Sequence, residues 1–324
     1  AIDLFHTMVL HHSHNVQPDA PVFVAVLKAC SNSHRFILGK IIHVQVAAQN
    51  LESNRHIGSC LVSIYSKYGC LNDADNVFDS LPSQNIVAWG SLISGYVLHH
   101  HGCRALYAFR QMLLCGIDPD IGILVNMLKA SFNVKDAKQS RIFHSYIYEW
   151  SFESNLMVGN ALVDLYSSYG SLKSAQKLFD AMPKHDIITW ASMIGGYAHE
   201  GHGEQALRLY QQMMKSEGTE PNSVTFVFLI KVCSSESLII PGWLIHNHIV
   251  QRGCVDNEHL GNALVEMHSK CGSIEDAERV FGMLPNRDLV SWNSMIAGYA
   301  KHGNYKQAKE CYEQMKDKEG LIPN

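Results

Sequence analysis

A long internal repeat constrains this chain more than any other sequence feature. Trp89, Trp190 and Trp292 lie 101 and 102 residues apart, each after a short apolar stretch. Prolines and histidines keep the same spacing, at Pro82, Pro183, Pro285, His43, His144 and His246. Since structural repeats of 20–50 residues are the rule, a period this long indicates several smaller units within each copy.

The long period divides into three classes of unit. The first class spans residues 20–54, 121–155 and 223–257, the second 55–85, 156–186 and 258–288, and the third 86–120, 187–222 and 289–324. Residues 1–19 form the end of a further unit of the third class. The units account for all 324 residues without a linker or a second domain. A single repeat array over 1–324 is therefore expected, although length alone would suggest two domains.

Each unit is predicted to form two short helices. In the unit 156–186, Leu162, Leu165 and Tyr166 have helical spacing, and Gly170 interrupts the pattern before a second apolar series from Leu172. The third class instead repeats an Ala, an aromatic residue and a Met, as in Ala105, Phe109 and Met112. A unit of this size cannot bury such a stripe alone, so neighbouring units must stack. The predicted fold is an all-α solenoid of helix-turn-helix repeats.

Composition excludes several classes of function. No apolar stretch reaches the 18 residues that a membrane span requires. The nine cysteines include no CxxC pair, which favours reduced thiols over a zinc ribbon. Signature motifs of nucleotide-binding, serine-hydrolase and zinc-protease sites are absent from the sequence. We therefore expect no enzyme and no cofactor in this chain.

The residues themselves resemble a known repeat family. The segments NALVDLYSSYGSLKSAQKLFDAMP at 160–183 and SWNSMIAGYAKHGNYKQAKECYEQM at 291–315 are similar to pentatricopeptide repeats. The alternation of 35, 31 and 35–36 residues resembles the PLS subclass of land plants, with L, S and P motifs in that order from residue 20. The resemblance implies a right-handed superhelix. The rival tetratricopeptide repeat has 34-residue units and a tryptophan signature not found here, and it would predict peptide binding.

The resemblance implies binding of single-stranded RNA, one base per repeat. In this family the fifth residue of each motif and its last residue read the base edge. The corresponding residues of the S and P motifs are Ser59 with Asn85, Gly90 with Asp120, Asn160 with Asp186, Ala191 with Asn222, Asn262 with Asp288, and Asn293 with Asn324. The L motifs have apolar fifth residues that should read weakly, in the pairs Val24 with Asn54, Val125 with Asn155, and Val227 with Asn257.

The implied base preferences follow the family's pairing pattern. The three S motifs favour A, U and U, and the last P motif favours C or U. Gly90 and Ala191 cannot hydrogen-bond a base through their side chains, so those motifs should be permissive. The predicted footprint, 5′ to 3′ along the chain, is N-A-N-N-U-N-N-U-Y.

Two further sets of residues are predicted to contact RNA. The second residue of a motif is expected to sandwich the base face, at His56, Val87, Met157, Ile188, His259 and Val290. The alternative is that these side chains pack against the neighbouring repeat. Lysines at the thirteenth position are expected to meet phosphate, namely Lys67, Lys270 and Lys301. So few basic contacts are compatible with a net charge of −4 and predict a shallow salt dependence.

Several histidine groups resemble metal clusters but are interpreted as structural. His11, His12 and His14 form one group, and a second lies at His99, His100 and His101, where His100 takes the place of Gly303 in the last repeat. Neither has a cysteine or carboxylate at ligand spacing. The recurring His43, His144 and His246 lie on the second helix of each L motif and are expected to have a structural packing role. No metal site is predicted.

The resemblance implies a recognition module of a plant organelle factor for C-to-U RNA editing, in mitochondria or chloroplasts. The cytidine-deaminase motifs H-x-E and P-C-x-x-C are absent, so a deaminase domain is expected in residues beyond this chain or in a separate protein. One alternative is a splicing or transcript-stabilisation factor. Another is a protein-interaction scaffold that docks editing cofactors through its L motifs. Apolar surface at the ends of the stack also predicts weak self-association.

Overall fold

The chain is helical throughout the part that the structure describes. The structure is a computed structural model that describes residues 18–33, 35–152, 154–216, 218–254 and 257–319. It contains eighteen helices and no strand within those ranges, which confirms the all-α prediction. In the same ranges, none of the helices combines the length and hydropathy needed to cross a lipid bilayer.

Each predicted unit contains one pair of helices. The L motifs contain α1 (Ala20–Asn32) and α2 (Phe36–Ala48), α7 (Ile121–Asn133) and α8 (Ala137–Glu149), and α13 (Ser223–Ser235) and α14 (Ile239–Gln251). The S motifs contain α3 (Arg55–Lys67) and α4 (Leu71–Ser80), α9 (Leu156–Ser168) and α10 (Leu172–Ala181), and α15 (Glu258–Cys271) and α16 (Ile274–Met283). The P motifs contain α5 (Ile86–Leu98) and α6 (Gly102–Leu114), α11 (Ile187–His199) and α12 (Gly203–Lys215), and α17 (Leu289–Lys301) and α18 (Tyr305–Glu319).

The helices form two compact units, residues 1–161 and 162–324. In the first unit the first helices of successive hairpins, α1, α3, α5 and α7, pack side by side. The second helices α2, α4 and α6 each pack between their own first helix and the next one. The second unit repeats this order, with α11, α13, α15 and α17 as its series of first helices. One face of each unit is therefore built from first helices.

The apolar stripes of the sequence form the core of each hairpin. Ala105 and Ala206 are fully buried, and so are Met112, Met213 and Met315, which confirms the interpretation of these methionines as core residues. The repeated tryptophans are buried too, and each meets the edge of a phenylalanine from the preceding S motif. Such edge-to-face pairs contribute about 0.5–1.5 kcal/mol of stability beyond that of their burial, so they stabilise the junction between S and P motifs.

Glycine lets the first helices of neighbouring S and P motifs approach closely. Gly95, Gly196 and Gly298 stand at the same motif position, and each lies against a serine of the first helix of the preceding S motif. A Cβ atom at these glycines would lie 2.5, 2.7 and 2.8 Å from the Cβ atoms of Ser66, Ser167 and Ser269. Any larger side chain would push the two helices apart, so these glycines help to set the spacing of the first-helix face.

Candidate nucleic-acid interface

The last residue of each motif is the N-cap of the next first helix. Its side-chain oxygen accepts hydrogen bonds from backbone N–H groups of the first helical turn at 2.8–3.3 Å. The residues that do this are Asp19, Asn54, Asn85, Asp120, Asn155, Asp186, Asn222, Asn257 and Asp288. Asn324 lies outside the described residues. Capping therefore fixes the side chains that were predicted to read bases, a structural role that the sequence analysis had not assigned to them.

In the last S motif the two predicted reading residues contact each other. Asn262, on the partly exposed side of α15, donates from Nδ2 to Oδ2 of Asp288 at 2.9 Å. The other carboxylate oxygen of Asp288, Oδ1, accepts the backbone N–H of Ser291 at 2.9 Å. One carboxylate thus both caps α17 and orients the amide. Because an amide nitrogen has two N–H groups, this contact leaves Asn262 with a second donor.

In the first S motif the two predicted reading residues also contact each other, but through a hydroxyl group. The hydroxyl of Ser59 lies 3.2 Å from Oδ1 of Asn85 and 2.7 Å from the carbonyl oxygen of Arg55. Its single O–H group can donate to only one of them at a time. Ser59 is 4% exposed, so it presents much less of itself to the surface than Asn262 does. Asn85 is partly exposed, so its amide is the more accessible polar group of this pair.

The remaining fifth residues differ in exposure by motif class. Asn160 is 7% exposed, whereas Asn293 is exposed. Gly90 and Ala191 are partly exposed and offer no side-chain hydrogen bond. The fifth residues of the L motifs are buried or partly buried valines: Val24, Val125 and Val227. In the reading pair of each L motif, therefore, only the capping Asn has a polar side chain.

The second residue of a motif projects from the protein surface. Val87, Met157, Ile188 and Val290 are 55–59% exposed although they are apolar, and His56 and His259 are exposed as well. Packing against a neighbouring repeat would have buried these side chains. Val224, at the same position of the third L motif, is 53% exposed and was missed by the sequence analysis. Its signal was the motif register, which for the second position had been read only in the S and P motifs.

A groove of about 560 Å³ lies in the first unit, on helices α3, α5 and α7. It is lined by four residues that were predicted from separate motif positions, Lys67, Val87, Gly90 and Asp120. Small polar side chains complete it, including Ser63, Ser91, Ser94 and Asn126. These small polar residues were not predicted, because serine is common on any helix surface. The first-helix face thus gathers predicted base, sandwich and phosphate contacts into one groove.

The three thirteenth-position lysines already have protein partners. The ammonium group of Lys67 donates to the carbonyl oxygen of Ser31 at 2.5 Å, and that of Lys301 to the carbonyl oxygen of Lys270 at 3.1 Å. Both acceptors lie at the end of the preceding first helix, where backbone carbonyls need donors. Lys270 instead forms an ion pair of 2.5 Å with Glu266. An ammonium group has three donors, so a phosphate contact is compatible with each arrangement.

The described histidine group forms structural contacts. His99 lies at the end of α5, with Nε2 3.1 Å from the carbonyl oxygen of Ser66. His100 has a φ of 61° and Gly303 a φ of 76°, so both occupy the same left-handed turn position, which is consistent with the alignment of His100 with Gly303. His101 is the N-cap residue of α6. His11, His12 and His14 lie outside the described residues.

The recurring L-motif histidines join neighbouring motifs. Nδ1 of His43 lies 2.7 Å from the hydroxyl of Tyr65, and Nδ1 of His246 lies 3.0 Å from Nε2 of His268. In both cases the partner is the eleventh residue of the following S motif. These contacts agree with the structural interpretation of the histidines and link α2 to α3 and α14 to α15.

Stacked helical hairpins with motif-repeated caps and an exposed first-helix face define a helical-repeat protein. Comparison with protein families identifies the repeat. A PPR repeat model matches residues 160–187, 262–289 and 290–319, and a PPR repeat family model matches residues 185–235. The repeats are pentatricopeptide repeats, and the chain belongs to that repeat family.

Relatives from Arabidopsis thaliana have the same repeats. A pentatricopeptide repeat-containing protein named as mitochondrial is 34% identical over 309 residues, which cover 95% of this chain and 48% of the relative. Another, named as chloroplastic, is 30% identical over 315 residues, or 97% of this chain and 50% of the relative. The chain thus spans about half the length of these relatives.

Solved structures agree with the fold. The pentatricopeptide repeat protein PPR10 in complex with an 18-nucleotide psaJ RNA element superimposes with a TM-score of 0.70 at 15% identity, over 99% of this chain and 53% of that one. PPR10 from maize gives a TM-score of 0.55 at 17% identity, over 99% of this chain and 52% of that one. At these identities the likeness concerns the fold.

Proposed function

We propose that this chain is a sequence-selective single-stranded RNA-binding module, with one base read by each motif of the first-helix face. The observation that carries the proposal is the side-chain contact between the fifth and last residues of two S motifs, at 2.9 Å for Asn262–Asp288 and 3.2 Å for Ser59–Asn85. Each contact joins the fifth and the last residue of one motif, which are 26 positions apart. The two side chains therefore form a single recognition unit. The RNA named in the PPR10 complex supports the same class of ligand.

The proposed footprint is N-A-N-N-U-N-N-U-Y, read by L, S and P motifs in turn. Its three defined bases depend on the pairs Ser59 with Asn85, Asn160 with Asp186, and Asn262 with Asp288. The exposed apolar side chains at the second positions support stacking on base faces, since they offer apolar surface without a protein partner to cover most of it. The module catalyses no reaction and requires no cofactor.

The parent protein is proposed to be a PLS-class factor that directs C-to-U editing in mitochondria or chloroplasts. The names of the Arabidopsis relatives include both organelles. The module would fix the register of the transcript so that a deaminase, in the same protein or recruited, meets a cytidine 3′ of the footprint. A splicing or transcript-stabilising factor would use the same interface without a deaminase.

Selection of RNA from a random single-stranded pool, at two salt concentrations, tests the proposal directly. The expected result is enrichment of A, then U three bases later, then U-Y three bases after that. The matched control is the double variant Asn160→Ala and Asn262→Ala, which should lose both U positions and keep the A. Enrichment with another spacing would overturn the motif register, and the absence of enrichment at low salt would overturn the RNA-binding proposal.

A second candidate function is a scaffold for editing cofactor proteins, and the L motifs favour it. Their second helices expose large apolar side chains, with Ile37 and Val44 on α2 and Ile240 and Leu244 on α14 each at least 65% exposed. Replacing Val44 and Ile240 by Lys should remove binding of a purified cofactor protein and leave RNA selection unchanged. Loss of RNA selection in that variant would instead place RNA contacts on these helices.

A further inference from the structure

The three junctions between S and P motifs share an aromatic pair with one variable neighbour. Phe78, Phe179 and Phe281 meet the tryptophan of the next helix, with ring centroids 4.5, 4.9 and 4.8 Å apart. The residue just before the capping residue is the variable neighbour. It is Gln84 at the first junction, His185 at the second and Arg287 at the third.

At the second and third junctions this residue covers the phenylalanine with a planar nitrogen-containing group. The His185 ring stacks on Phe179 with centroids 4.0 Å apart and planes 14° apart, and its Nε2 lies 2.7 Å from the Phe179 carbonyl oxygen. The Arg287 guanidinium lies 4.9 Å from the centre of the Phe281 ring, and its Nε donates to the Phe281 carbonyl at 3.1 Å. Each of these side chains thus contacts one face of its phenylalanine ring and the carbonyl oxygen of the same phenylalanine.

At the first junction a cavity of about 720 Å³ lies beside the equivalent phenylalanine. Its walls come from α4, α5 and α6 and include the aromatic residues Phe78, Trp89, Tyr96 and Tyr107. Gln84 forms part of the wall. The site is on the other side of α5 from the groove proposed for RNA, because it involves the second helices α4 and α6.

The cavity has one more acidic than basic side chain. Asp75, Asp79 and Arg104 are its charged lining residues. Asp75 is engaged, since it accepts from the hydroxyl of Tyr96 and pairs with Arg104, whose guanidinium lies 4.6 Å from the centre of the Tyr96 ring. Asp79 forms no ion pair among the residues that the structure describes. Its carboxylate leaves the cavity with an uncompensated negative charge.

We propose that this cavity binds an arginine side chain of a partner protein. The guanidinium would lie on the Phe78 ring and donate to the Phe78 carbonyl and the Asp79 carboxylate, as Arg287 does with Phe281 and its carbonyl within this chain. A planar cation suits an aromatic wall and an in-plane acceptor better than the compact ammonium of lysine. An anionic or phosphorylated ligand would meet the uncompensated charge of Asp79. The proposal is independent of RNA binding.

Calorimetric titration of the whole chain with N-acetyl-arginine amide tests this site. Saturable binding with one ligand per chain is expected. The neutral isostere N-acetyl-citrulline amide should bind about tenfold more weakly, from the combined loss of a cation–π contact and an exposed ion pair. Asp79→Asn should weaken arginine binding about threefold to fivefold. Equal binding of the two ligands, or no saturable arginine binding, would overturn the proposal.

A pair of opposite variants keeps the test specific to the cavity. Gln84→Arg should occupy the cavity with a guanidinium group of the chain itself. It should therefore abolish binding of the arginine ligand and raise Tm by about 2 °C. His185→Gln should open the second junction, where Asp180 takes the place of Asp79, and raise the stoichiometry from one to two. Arginine binding that survives Gln84→Arg with circular dichroism unchanged would show that the ligand binds elsewhere.

Discussion

The first and third S motifs, 55–85 and 258–288, share the two-helix hairpin, a histidine at the second position and a lysine at the thirteenth, but they differ at the fifth, eleventh and last positions. Their fifth residues are Ser59, which is buried, and Asn262, which is partly exposed. Their eleventh residues are Tyr65 and His268, and their thirteenth are Lys67, bonded to a carbonyl, and Lys270, paired with Glu266. The difference shows that the helical hairpin is fixed by its apolar stripe, while a few polar positions vary freely around it. Substitutions at the eleventh, fifth, last and thirteenth positions test these differences separately.

The largest expected effect concerns the eleventh position. Burial and the neighbouring His246 lower the pKa of His268 to about 4, whereas an exposed histidine titrates near 6.5. Between these pH values the unfolded chain binds a proton that the folded chain does not take up. The free energy of unfolding should therefore fall by about 3 kcal/mol as the pH is lowered through this window.

Denaturant titrations between pH 7 and pH 4 measure this loss. His268→Tyr supplies the matched control, because Tyr65 holds the same position in the first S motif and pairs with His43 at 2.7 Å. That variant should lose most of the acid sensitivity. If it loses as much stability as the unmodified chain, carboxylates rather than this histidine pair are responsible.

The second effect concerns base choice at the fifth position. Asn262→Ser, with Asp288 retained, removes the amide that Asp288 orients and should move the preference at that base from U toward G. The discrimination is expected to change by about 1–3 kcal/mol, if the cost of a mismatched base on DNA applies to RNA. Competition binding with RNAs that differ only at that base measures it. A variant that still prefers U would refute the assignment of Asn262.

The third effect separates capping from reading at Asp288. Asp288→Ala removes the cap of α17 and should cost about 1 kcal/mol of stability together with selectivity for U. Asp288→Asn keeps a good cap, so stability should hold while selectivity widens from U to either pyrimidine, as predicted for Asn293 with Asn324. Thermal unfolding and RNA selection on both variants give the comparison. Equal unfolding temperatures for the two would argue that the cap contributes little.

The smallest effect concerns the lysines. Lys67 bonds to a neutral carbonyl and keeps its charge for phosphate, whereas Glu266 compensates the charge of Lys270. Lys67→Gln should reduce the salt dependence of RNA binding by about 0.7 in the slope of log K against log salt, the value for one phosphate on a single strand. Lys270→Gln should reduce it less. Equal slopes for both variants would mean that the Glu266 pair does not matter.

The sequence predicted the all-α repeat fold because that fold depends on periodicity. The apolar stripe, the glycine breaks and the repeated tryptophans recur three times, and such recurrence is visible without any structure. The position of His100 in a turn followed from its alignment with Gly303. The placement of the core methionines followed from the same spacing.

The side-chain contacts could not be predicted in the same way. The Ser59–Asn85 and Asn262–Asp288 contacts join residues 26 positions apart, and their geometry depends on how one helix enters the next. The carbonyl partner of Lys67 is 36 residues away on a neighbouring helix. The cavity beside Phe78 depends on the size of Gln84 relative to histidine and arginine. Periodicity identifies such positions but does not show what they touch.

The capping role of the last motif residue also limits how specificity can evolve. A residue at that position must cap the next helix, and only Asn, Asp, Ser and Thr, with Gly less well, do this effectively. If the proposed reading holds, exchange between Asn and Asp would alter recognition at almost no cost to the stack, because both residues already cap at this position, as Asn85, Asp186 and Asp288 do. Under that proposal, a substitution at this position could change the RNA that is recognised without destabilising the scaffold.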